Sequence, residues 1–297
     1  MWALATAKID ARPTACMRVD GKLFALAALD PSLPNTLVDI FADWPAYAPR
    51  LDRLAGSIDS KIPAIPDGRA TLLAPLLYPG KVLCAGANYY DHMAEMGFPD
   101  VKKETQRLFF FLKPSRNAVV GPGPTVKMPR GTQKYDWEIE LAAVIGKSAR
   151  YVTPQQALDH VAGYTVAIDM SARDFNMAPD QFYKFDWVAG KATDTGCPLG
   201  PWIVPAAALG DPQKVALKLA VNGEIKQNSS TAKMIYSIAE QITRASEIMT
   251  LDPGDVILTG IPAGVGVPKG TFLKVGDRID AEIAGIGTLS VSIAAMA

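Results

Sequence analysis

The sequence predicts a β-rich protein of the α+β class with a sandwich-like or barrel-like sheet core. Many short apolar runs of strand length lie between Gly and Pro turns, and only a few stretches have helical periodicity. No glycine-rich dinucleotide or P-loop motif follows a predicted strand, which argues against a Rossmann unit. The 297 residues suffice for one large or two modest domains with a sizeable core.

The amino-terminal part is predicted to be a small separate unit. Two short apolar strands flank Asp20-Gly21, a dipeptide typical of hairpin turns. Residues 37–54 have helical periodicity, although prolines interrupt it. A Pro/Gly-rich stretch then marks a boundary, so we predict a small domain at residues 1–75 and a larger domain at residues 76–297.

The larger domain is predicted to consist mostly of short strands. Asn222-Gly223 is a strong hairpin signal. Thr153, followed by a proline, is expected to cap a short helix, and residues 230–249 carry an apolar stripe typical of a longer helix. The predicted strands cover residues 81–85, 118–120, 138–145, 161–169, 202–204, 215–221, 256–259, 278–283 and 287–293.

Composition and charge exclude several functional classes. Lys and Arg together number 30, as do Asp and Glu, so bulk binding to nucleic acid or to anionic membranes is not expected. No apolar run approaches the roughly 18 residues of a membrane span, and the amino terminus lacks the order of a signal peptide. The three scattered cysteines, Cys16, Cys84 and Cys197, fit a reducing compartment. We therefore expect a cytoplasmic protein without nucleic-acid or membrane partners.

Two carboxylates stand together at the start of an apolar predicted strand. Glu138 and Glu140 are two residues apart, so they point to the same face of the strand. Two like charges there repel unless a cation lies between them, and a hard divalent cation prefers carboxylate oxygens. Asp169, at the end of another apolar strand, could supply a third anionic oxygen. Alternatively, both glutamates are solvated at an exposed strand end. Asp169 could also pair with Arg173, which is compatible with a metal site.

Two further segments contain candidate catalytic side chains. If residues 91–96 form a helical turn, His92 and Glu95 are neighbours on one face, and a carboxylate beside an imidazole favours a general base. Lys191 lies in a Gly/Thr/Pro-rich loop, where it could bind a carboxylate or enolate oxygen. The alternatives are a structural histidine and a solvated loop lysine.

Together these segments resemble the fumarylacetoacetate hydrolase family over roughly residues 80–295. Six motifs in order are far more specific than any one of them. They are Asn88-Tyr89-Tyr90-Asp91-His92; Asp136-Trp137-Glu138-Ile139-Glu140-Leu141; Asp169-Met170-Ser171-Ala172-Arg173-Asp174; Gly190-Lys191 with Asp194-Thr195 and Cys197-Pro198-Leu199-Gly200-Pro201; Asn222-Gly223-Glu224; and Thr259-Gly260-Ile261-Pro262-Ala263-Gly264-Val265-Gly266.

The resemblance implies a mixed β-roll carboxy-terminal domain, a small amino-terminal α/β domain and usually a homodimer. It implies Mg²⁺, or sometimes Mn²⁺ or Ca²⁺, held by the three carboxylates, and 2-oxo or 2,4-dioxo acids as small-molecule substrates. In the family pattern, His92 and Glu95 match a water-activating dyad and Lys191 matches a lysine that stabilises an enolate. The resemblance also implies a mobile lid over residues 89–112. The residues expected to contact substrate are Asn88, Tyr90, Arg173, Asn176 and Ile261.

The sequence departs from the family pattern at two of these positions. Ile261 stands where the family loop usually has Thr, and Asn176 stands where hydrolytic relatives often have Gln. The matched lid segment also contains Leu108-Phe109-Phe110-Phe111-Leu112, which we interpret as core, although its alternate side chains could instead face the pocket. From these features we expect a substrate whose distal portion is less polar than that of fumarylacetoacetate.

The expected function is Mg²⁺-dependent hydrolysis of a C–C bond in a 2,4-dioxo acid, or its enol, within a catabolic pathway. The alternative on the same fold is an isomerase, hydratase or decarboxylase of a 2-hydroxydienoate or 2-oxo acid. A non-catalytic binding protein that retains the metal pocket is a third interpretation, against which the presence of both His92 and Glu95 argues.

Overall fold

Strands dominate the regular structure of the protein in a computed structural model that describes residues 1–296. The fold is 35% strand and 24% helix, which confirms the predicted β-rich α+β class. The strands are β1 (Trp2–Ile9), β2 (Arg12–Val19), β3 (Lys22–Ala25), β4 (Thr71–Leu72), β5 (Val82–Gly86), β6 (Phe109–Lys113), β7 (Val119–Val120), β8 (Gly123–Met128), β9 (Tyr135–Asp136), β10 (Ile139–Ile145), β11 (Val161–Ile168), β12 (Ser171–Ala172), β13 (Cys197–Pro205), β14 (Ala216–Val221), β15 (Glu224–Ser230), β16 (Val256–Leu258), β17 (Arg278–Ile283) and β18 (Gly287–Ala295).

The helices are short, and several of them carry residues of the site described below. They are α1 (Leu26–Leu29), α2 (Leu37–Ala42), α3 (Trp44–Gly56), α4 (Tyr90–Glu95), α5 (Pro154–Ala157), α6 (Arg173–Asn176), α7 (Trp187–Lys191), α8 (Ala206–Leu209) and α9 (Ile238–Ile248).

The main sheet has the strand order β3-β2-β1-β13-β11-β10-β16-β5-β6, with β4 paired to β1 and β7 paired to β13. Near its middle, β10 and β11 are antiparallel, and Ile139 lies opposite Ile168. The backbone N–H of Asp169 donates to the carbonyl of Glu138 at 2.9 Å, so the pairing continues one residue beyond both strands. The two strands therefore bring Glu138 and Asp169 to the same end of the sheet.

Both faces of the main sheet are covered, so β10 and β11 are buried along their whole length and read as continuous apolar runs. One face packs against the second sheet, of order β15-β14-β17-β18-β8, and there Leu141 and Leu217 share a core cluster. The other face packs against α2 and α3, where Val144 and Phe41 share a second cluster. Glu140 has the same strand parity as Val144, so it belongs to this second face.

The helix predicted over residues 230–249 is wrong in its first part. Strand β15 occupies Glu224–Ser230, because the Asn222-Gly223 turn pairs it with β14. Helix α9 begins only after Ser237, whose hydroxyl accepts from the N–H of Glu240 while the Glu240 carboxylate accepts from the N–H of Ser237. This capping box fixes the start of the helix.

The amino-terminal strands extend the main sheet. Strand β1 is antiparallel to β13, with Leu4 opposite Ile203. The helical stretch predicted at residues 37–54 forms α2 and α3, and Pro49 lies inside α3. The division into two domains at residue 75 stays a prediction. Within the described residues, no helix combines the length and the apolar character that crossing a membrane requires.

Candidate active site

Three buried carboxylates converge where β10 begins and β11 ends. Glu138 and Glu140 flank Ile139, and Asp169 follows β11 directly. One carboxylate oxygen from each lies within 4.8 Å of the others. The three residues are at most 2% exposed, so the alternative of two solvated glutamates at an exposed strand end is wrong.

Two cationic side chains compensate part of this negative charge. Lys191 Nζ donates to Glu138 Oε2 at 2.5 Å and to Asp169 Oδ2 at 2.7 Å. Arg173 pairs with Glu138 at 2.5 Å and with Asp136 at 2.9 Å. In the described part of the chain, Asp169 therefore pairs with lysine and not with Arg173. Lys191 is itself buried, so it is no solvated loop lysine.

Lys113 is a further buried cation of the site, and no motif in the sequence points to it. Its Nζ lies 2.7 Å from Asp169 Oδ1 and donates to the carbonyls of Met170 at 3.1 Å, Lys191 at 2.5 Å and Gly196 at 2.9 Å. The sequence does contain one indication of it. Side chains alternate between the two faces of a strand, so Lys113 lies on the same face of β6 as Phe111. A lysine at a strand end is usually exposed, so this signal alone is weak.

The two glutamates have opposite pKa shifts. Burial raises the pKa of Glu138, but Arg173 and Lys191 more than offset this effect and hold the pKa below its usual value. Burial raises the pKa of Glu140 well above its usual value, and Asp169 and Glu138 raise it further. The contact of Glu140 with the N–H of Gly260 counters this only in part. Glu140 is thus the carboxylate whose charge is least compensated.

The residues present fit a divalent cation. Asp169 Oδ1 is buried and, despite its closeness to Lys113, accepts no hydrogen bond of good geometry within residues 1–296. Glu140 and Asp169 therefore both offer carboxylate oxygens that the described side chains leave poorly satisfied. An all-carboxylate set of oxygen donors is the kind that Mg²⁺ and Mn²⁺ prefer.

A histidine–glutamate pair lies beside the carboxylates. In α4, His92 Nδ1 and Glu95 Oε1 are 2.8 Å apart, and Glu95 Oε2 accepts from the N–H of Gly264 at 2.8 Å. Glu95 therefore holds the imidazole in orientation, and Nε2 is the ring nitrogen available to a ligand. His92 lines the same cavity as Glu138, so it is not merely a histidine of the core.

The carboxylates, Lys191 and His92 surround one cavity of about 140 Å³. Four aromatic rings form much of its outer wall, and they pack on one another. The ring centroid of Trp187 lies 4.8 Å from that of Phe111, 5.3 Å from that of Phe109 and 4.5 Å from that of Phe185. The interpretation of the phenylalanine run as core alone is thus incomplete, because Phe109 and Phe111 line the cavity, and Phe111 also packs against the second core cluster. Between them, Phe110 packs against the core.

The remaining predicted substrate contacts divide into two groups. Arg173, Asn176 and Ile261 line the cavity. Asn88 is buried elsewhere, where it accepts from the N–H of Tyr236 and donates to the Thr259 carbonyl, and Tyr90 is 43% exposed.

Neither Asn88 nor Tyr90 is among the cavity-lining residues. Asn88 instead joins the loops around the site, because its amide is fully used by backbone groups. Asn176 is held in the wall by donating to the Asp186 carbonyl at 2.9 Å, in space that Gly190 leaves free.

Comparison with known proteins supports the resemblance. The sequence model of the family described as fumarylacetoacetate (FAA) hydrolase C-terminal matches residues 81–294. The chain is 41% identical over 271 residues to mitochondrial oxaloacetate tautomerase FAHD2A of Bos taurus, covering 91% of this chain and 83% of that protein.

Comparison with solved structures supports the same resemblance. Fumarylacetoacetate hydrolase of Exiguobacterium antarcticum is 33% identical, with a TM-score of 0.83 over 100% of both chains. Fumarylpyruvate hydrolase of Pseudomonas aeruginosa, in complex with Mn²⁺ and pyruvate, is 35% identical, with a TM-score of 0.66 over 81% of this chain and 95% of that one.

The expectation of a cytoplasmic location is contradicted by these findings. It rested on the scattered cysteines and on the lack of signal-peptide order. The bovine relative, similar over 91% of the chain, is a mitochondrial protein. A reducing environment is not specific to the cytoplasm, so the cysteines could not distinguish the two.

Proposed function

The chain belongs to the fumarylacetoacetate hydrolase family, and from this premise we propose that it interconverts the keto and enol forms of a small 2-oxo acid. The observation that carries the proposal is the meeting of three chemistries in one cavity. The buried carboxylates can hold a divalent cation, Lys191 can stabilise an enolate oxygen, and His92 can move a proton. Interconversion of keto and enol forms needs these three functions and no further reactant.

The size of the cavity supports a small substrate. Its volume is about 140 Å³. Pockets for drug-sized ligands are larger, at roughly 300 Å³ or more. The cavity therefore suits the 2-oxo acid portion of a substrate, about four or five carbons. The similarity to oxaloacetate tautomerase over 91% of the chain points to the same class of acid.

Glu138, Glu140 and Asp169 are the residues that would hold the cation. When bound, a divalent cation supplies Lewis acidity, which polarises the keto group of a chelating 2-oxo carboxylate. The high pKa of Glu140 means that this carboxyl gives up its proton most readily when a cation is present. Lys113 and Lys191 keep the Asp169 side chain in place for this role.

His92 is the group proposed to move the proton. Because Nδ1 faces Glu95, the neutral imidazole carries its proton on Nδ1 and presents the lone pair of Nε2 to the cavity. Nε2 takes a proton from the carbon next to the keto group, so that a C–H bond breaks and an enolate forms. Lys191 Nζ stabilises the negative charge that develops on the enolate oxygen. The proton held at His92 Nε2 then passes to this oxygen, which completes the enol and restores the neutral imidazole.

Hydrolysis of a C–C bond in a 2,4-dioxo acid is the second candidate. It is favoured by the His92–Glu95 pair, which has the geometry of a general base that activates water. Water would add to the distal carbonyl, and the C–C bond would break to release an acid and an enolate. The similarity to fumarylpyruvate hydrolase supports this reaction. We place it second because the similarity to oxaloacetate tautomerase covers 91% of the chain at 41% identity, against 81% at 35% identity for fumarylpyruvate hydrolase.

The test is incubation of the purified chain with oxaloacetate, and separately with an acylpyruvate, in Mg²⁺, Mn²⁺ or EDTA. We expect the chain with metal to accelerate conversion of the enol to the keto form, measured as a fall in ultraviolet absorbance. The mass of the substrate should stay unchanged in mass spectrometry. Two product fragments from the acylpyruvate would favour hydrolysis instead. Released CO₂ would mean decarboxylation, and no reaction with either compound would favour a binding protein.

The variant that tests the base is His92→Gln, with His160→Gln as the matched control. His160 is the other histidine of the chain; its Nδ1 donates to the Lys147 carbonyl, outside the cavity lining. We expect His92→Gln to lose about 10²- to 10⁴-fold in rate, the usual size of general acid–base catalysis, and His160→Gln to lose little. Equal rates for the two variants would contradict the role of His92.

A further inference from the structure

We propose that the cavity continues outward into a second binding subsite, which receives an apolar chain attached to the 2-oxo acid. This outer subsite is a cavity of about 580 Å³ that shares Arg173, Asn176 and Phe185 with the inner one. The inference rests on the proposed 2-oxo acid chemistry and adds the class of substituent that the acid carries.

The two cavities are successive stretches of one cleft. Three chain segments line the inner cavity and, a few residues later, line the outer one. The lining passes from His92 in α4 to Met96, which caps that helix, and from Arg173 in α6 to Met177, which caps that one. The loop after β16 contributes Ile261 to the inner cavity and residues 267–272 to the outer one. Because all three segments leave the inner cavity together, a ligand chain that follows them reaches the outer subsite.

The outer subsite offers mainly apolar surface. Its wall contains the side chains of Met96, Met177, Val267 and Phe272, together with Phe185 from the boundary. Methionine and phenylalanine side chains adapt well to flexible apolar ligands.

The polar groups of the outer wall are largely engaged already. Asp174 accepts from Thr132 Oγ1 at 2.5 Å and from the N–H of Gln133 at 2.6 Å, and Arg173 is paired with Asp136 and Glu138. Neither Lys134 nor Asp174 takes part in a described ion pair, but Asp174 is held by these two hydrogen bonds, which leaves Lys134 as the wall cation that an anionic tail could meet. An apolar chain therefore finds a better match here than a carboxylate does, and Lys134 provides the rival possibility for the experiment.

The experiment compares three 2-oxo acids in calorimetric titrations of the full chain with Mn²⁺ present. Pyruvate has no tail, 2-oxooctanoate has an apolar tail, and 2-oxoadipate has a tail that ends in a carboxylate. We expect 2-oxooctanoate to bind at least about tenfold more tightly than pyruvate, since each buried methylene contributes about fourfold in affinity.

The outcomes separate the two proposals. If pyruvate does not bind, the proposed 2-oxo acid function fails. If pyruvate binds and 2-oxooctanoate binds no more tightly, the outer subsite is refuted while the function stands. Tighter binding of 2-oxoadipate than of 2-oxooctanoate would overturn the apolar assignment in favour of an anionic tail at Lys134.

Met177→Glu tests the location, with Ile248→Glu as the matched control. Both residues are well exposed, at 62% and 51%, so neither substitution threatens the fold. We expect Met177→Glu to reduce the advantage of 2-oxooctanoate over pyruvate to less than about threefold, because a carboxylate in the cleft disfavours the tail. Ile248→Glu, at the end of α9, should retain the full advantage. An unchanged advantage in Met177→Glu would place the tail elsewhere and contradict the proposal.

Discussion

Lys113 binds four oxygen atoms from three parts of the site. Its Nζ contacts a carboxylate oxygen of Asp169, which follows β11. It also donates to the backbone carbonyls of Met170, Lys191 and Gly196. Burial lowers the pKa of Lys113, but Asp169 more than offsets this effect and leaves the pKa above its usual value. The lysine is therefore a fixed positive charge that holds β6, β11 and α7 together around the carboxylates.

Replacing Lys113 by Met should lower the free energy of unfolding by about 3 kcal/mol without metal, since it leaves a buried carboxylate short of a partner. Added Mn²⁺ should then raise the melting temperature more than in the wild type, because the cation compensates the charge of Asp169. Thermal unfolding with EDTA and with Mn²⁺ measures both effects. Lys127→Met, at an exposed position, serves as the control. A smaller Mn²⁺ effect than in the wild type would contradict this account.

The residues of the site differ in how well the sequence alone predicts their location there. Glu138, Glu140 and Asp169 were predictable, because strand parity and an apolar context make clustered carboxylates conspicuous. Lys113 was not, because a lysine that ends a strand looks the same whether it is buried or solvated. Asn88 was assigned to the substrate, but its amide hydrogen-bonds to loop backbone, a use that no local pattern reveals.

Among the elements, β5 and β6 shape the cavity as a pair. They are antiparallel neighbours, with Gly86 opposite Phe109. The ring of Phe109 lies across Gly86, and a Cβ at residue 86 would overlap it. The absence of a side chain at Gly86 therefore allows the ring to form part of the cavity wall.

Gly86→Ala should displace the Phe109 ring from the wall and weaken binding of a 2-oxo acid about three- to tenfold. The fold should persist, because Phe109 is 40% exposed and can rotate outward. Combining Gly86→Ala with Phe109→Ala should give the same affinity as Phe109→Ala alone, since both changes act on one ring. Pyruvate titrations of the three variants measure this. If the affinity losses of the two single variants simply add in the double variant, Gly86 acts through something other than the Phe109 ring.

Of the fourteen strands described after residue 75, eight were predicted close to their observed bounds, the prediction for β13 began five residues late, and β6, β8, β9, β12 and β15 were missed. Strands β10 and β11 are continuous apolar runs, and β17 and β18 alternate apolar with polar residues, so all four are recognisable in the sequence. Strand β15 was missed because Gln227, Asn228 and Ser229 give it little apolar character. The cavity wall was missed for a different reason. Phe185 and Trp187 come from a separate segment, and only the tertiary fold brings them to Phe111.

For the molecule as a whole, the buried Glu140 predicts how stability depends on pH. Its pKa in the folded protein lies well above the ordinary value of 4.5. Below pH 4.5 both folded and unfolded chains hold this proton, and above it only the unfolded chain releases the proton freely. The contribution of Glu140 to stability therefore falls as pH rises above this value, by up to about 1.4 kcal/mol per pH unit.

Glu140→Gln should remove this contribution. In EDTA, the melting temperature of the variant relative to the wild type should increase as pH rises from 4.5 toward neutrality. With excess Mg²⁺ at neutral pH the order should reverse, because only the wild type keeps the full set of carboxylates for the cation. Melting curves across pH under both conditions provide the measurement. A difference that is independent of pH in EDTA would show that Glu140 is not the responsible group.

The homodimer stays a prediction.

The strand order also determines when the protein can assemble during synthesis. Strand β1 pairs with β13, which lies far along the chain from it, and β5 pairs in parallel with β16 through Val82 and Val256. The ribosome must therefore deliver most of the chain before the middle of the main sheet can close. Until then Glu138, Glu140 and Asp169 remain in water, where their mutual repulsion costs little. The electrostatic cost of gathering them thus falls on the last steps of folding, when a divalent ion from solution can already join them.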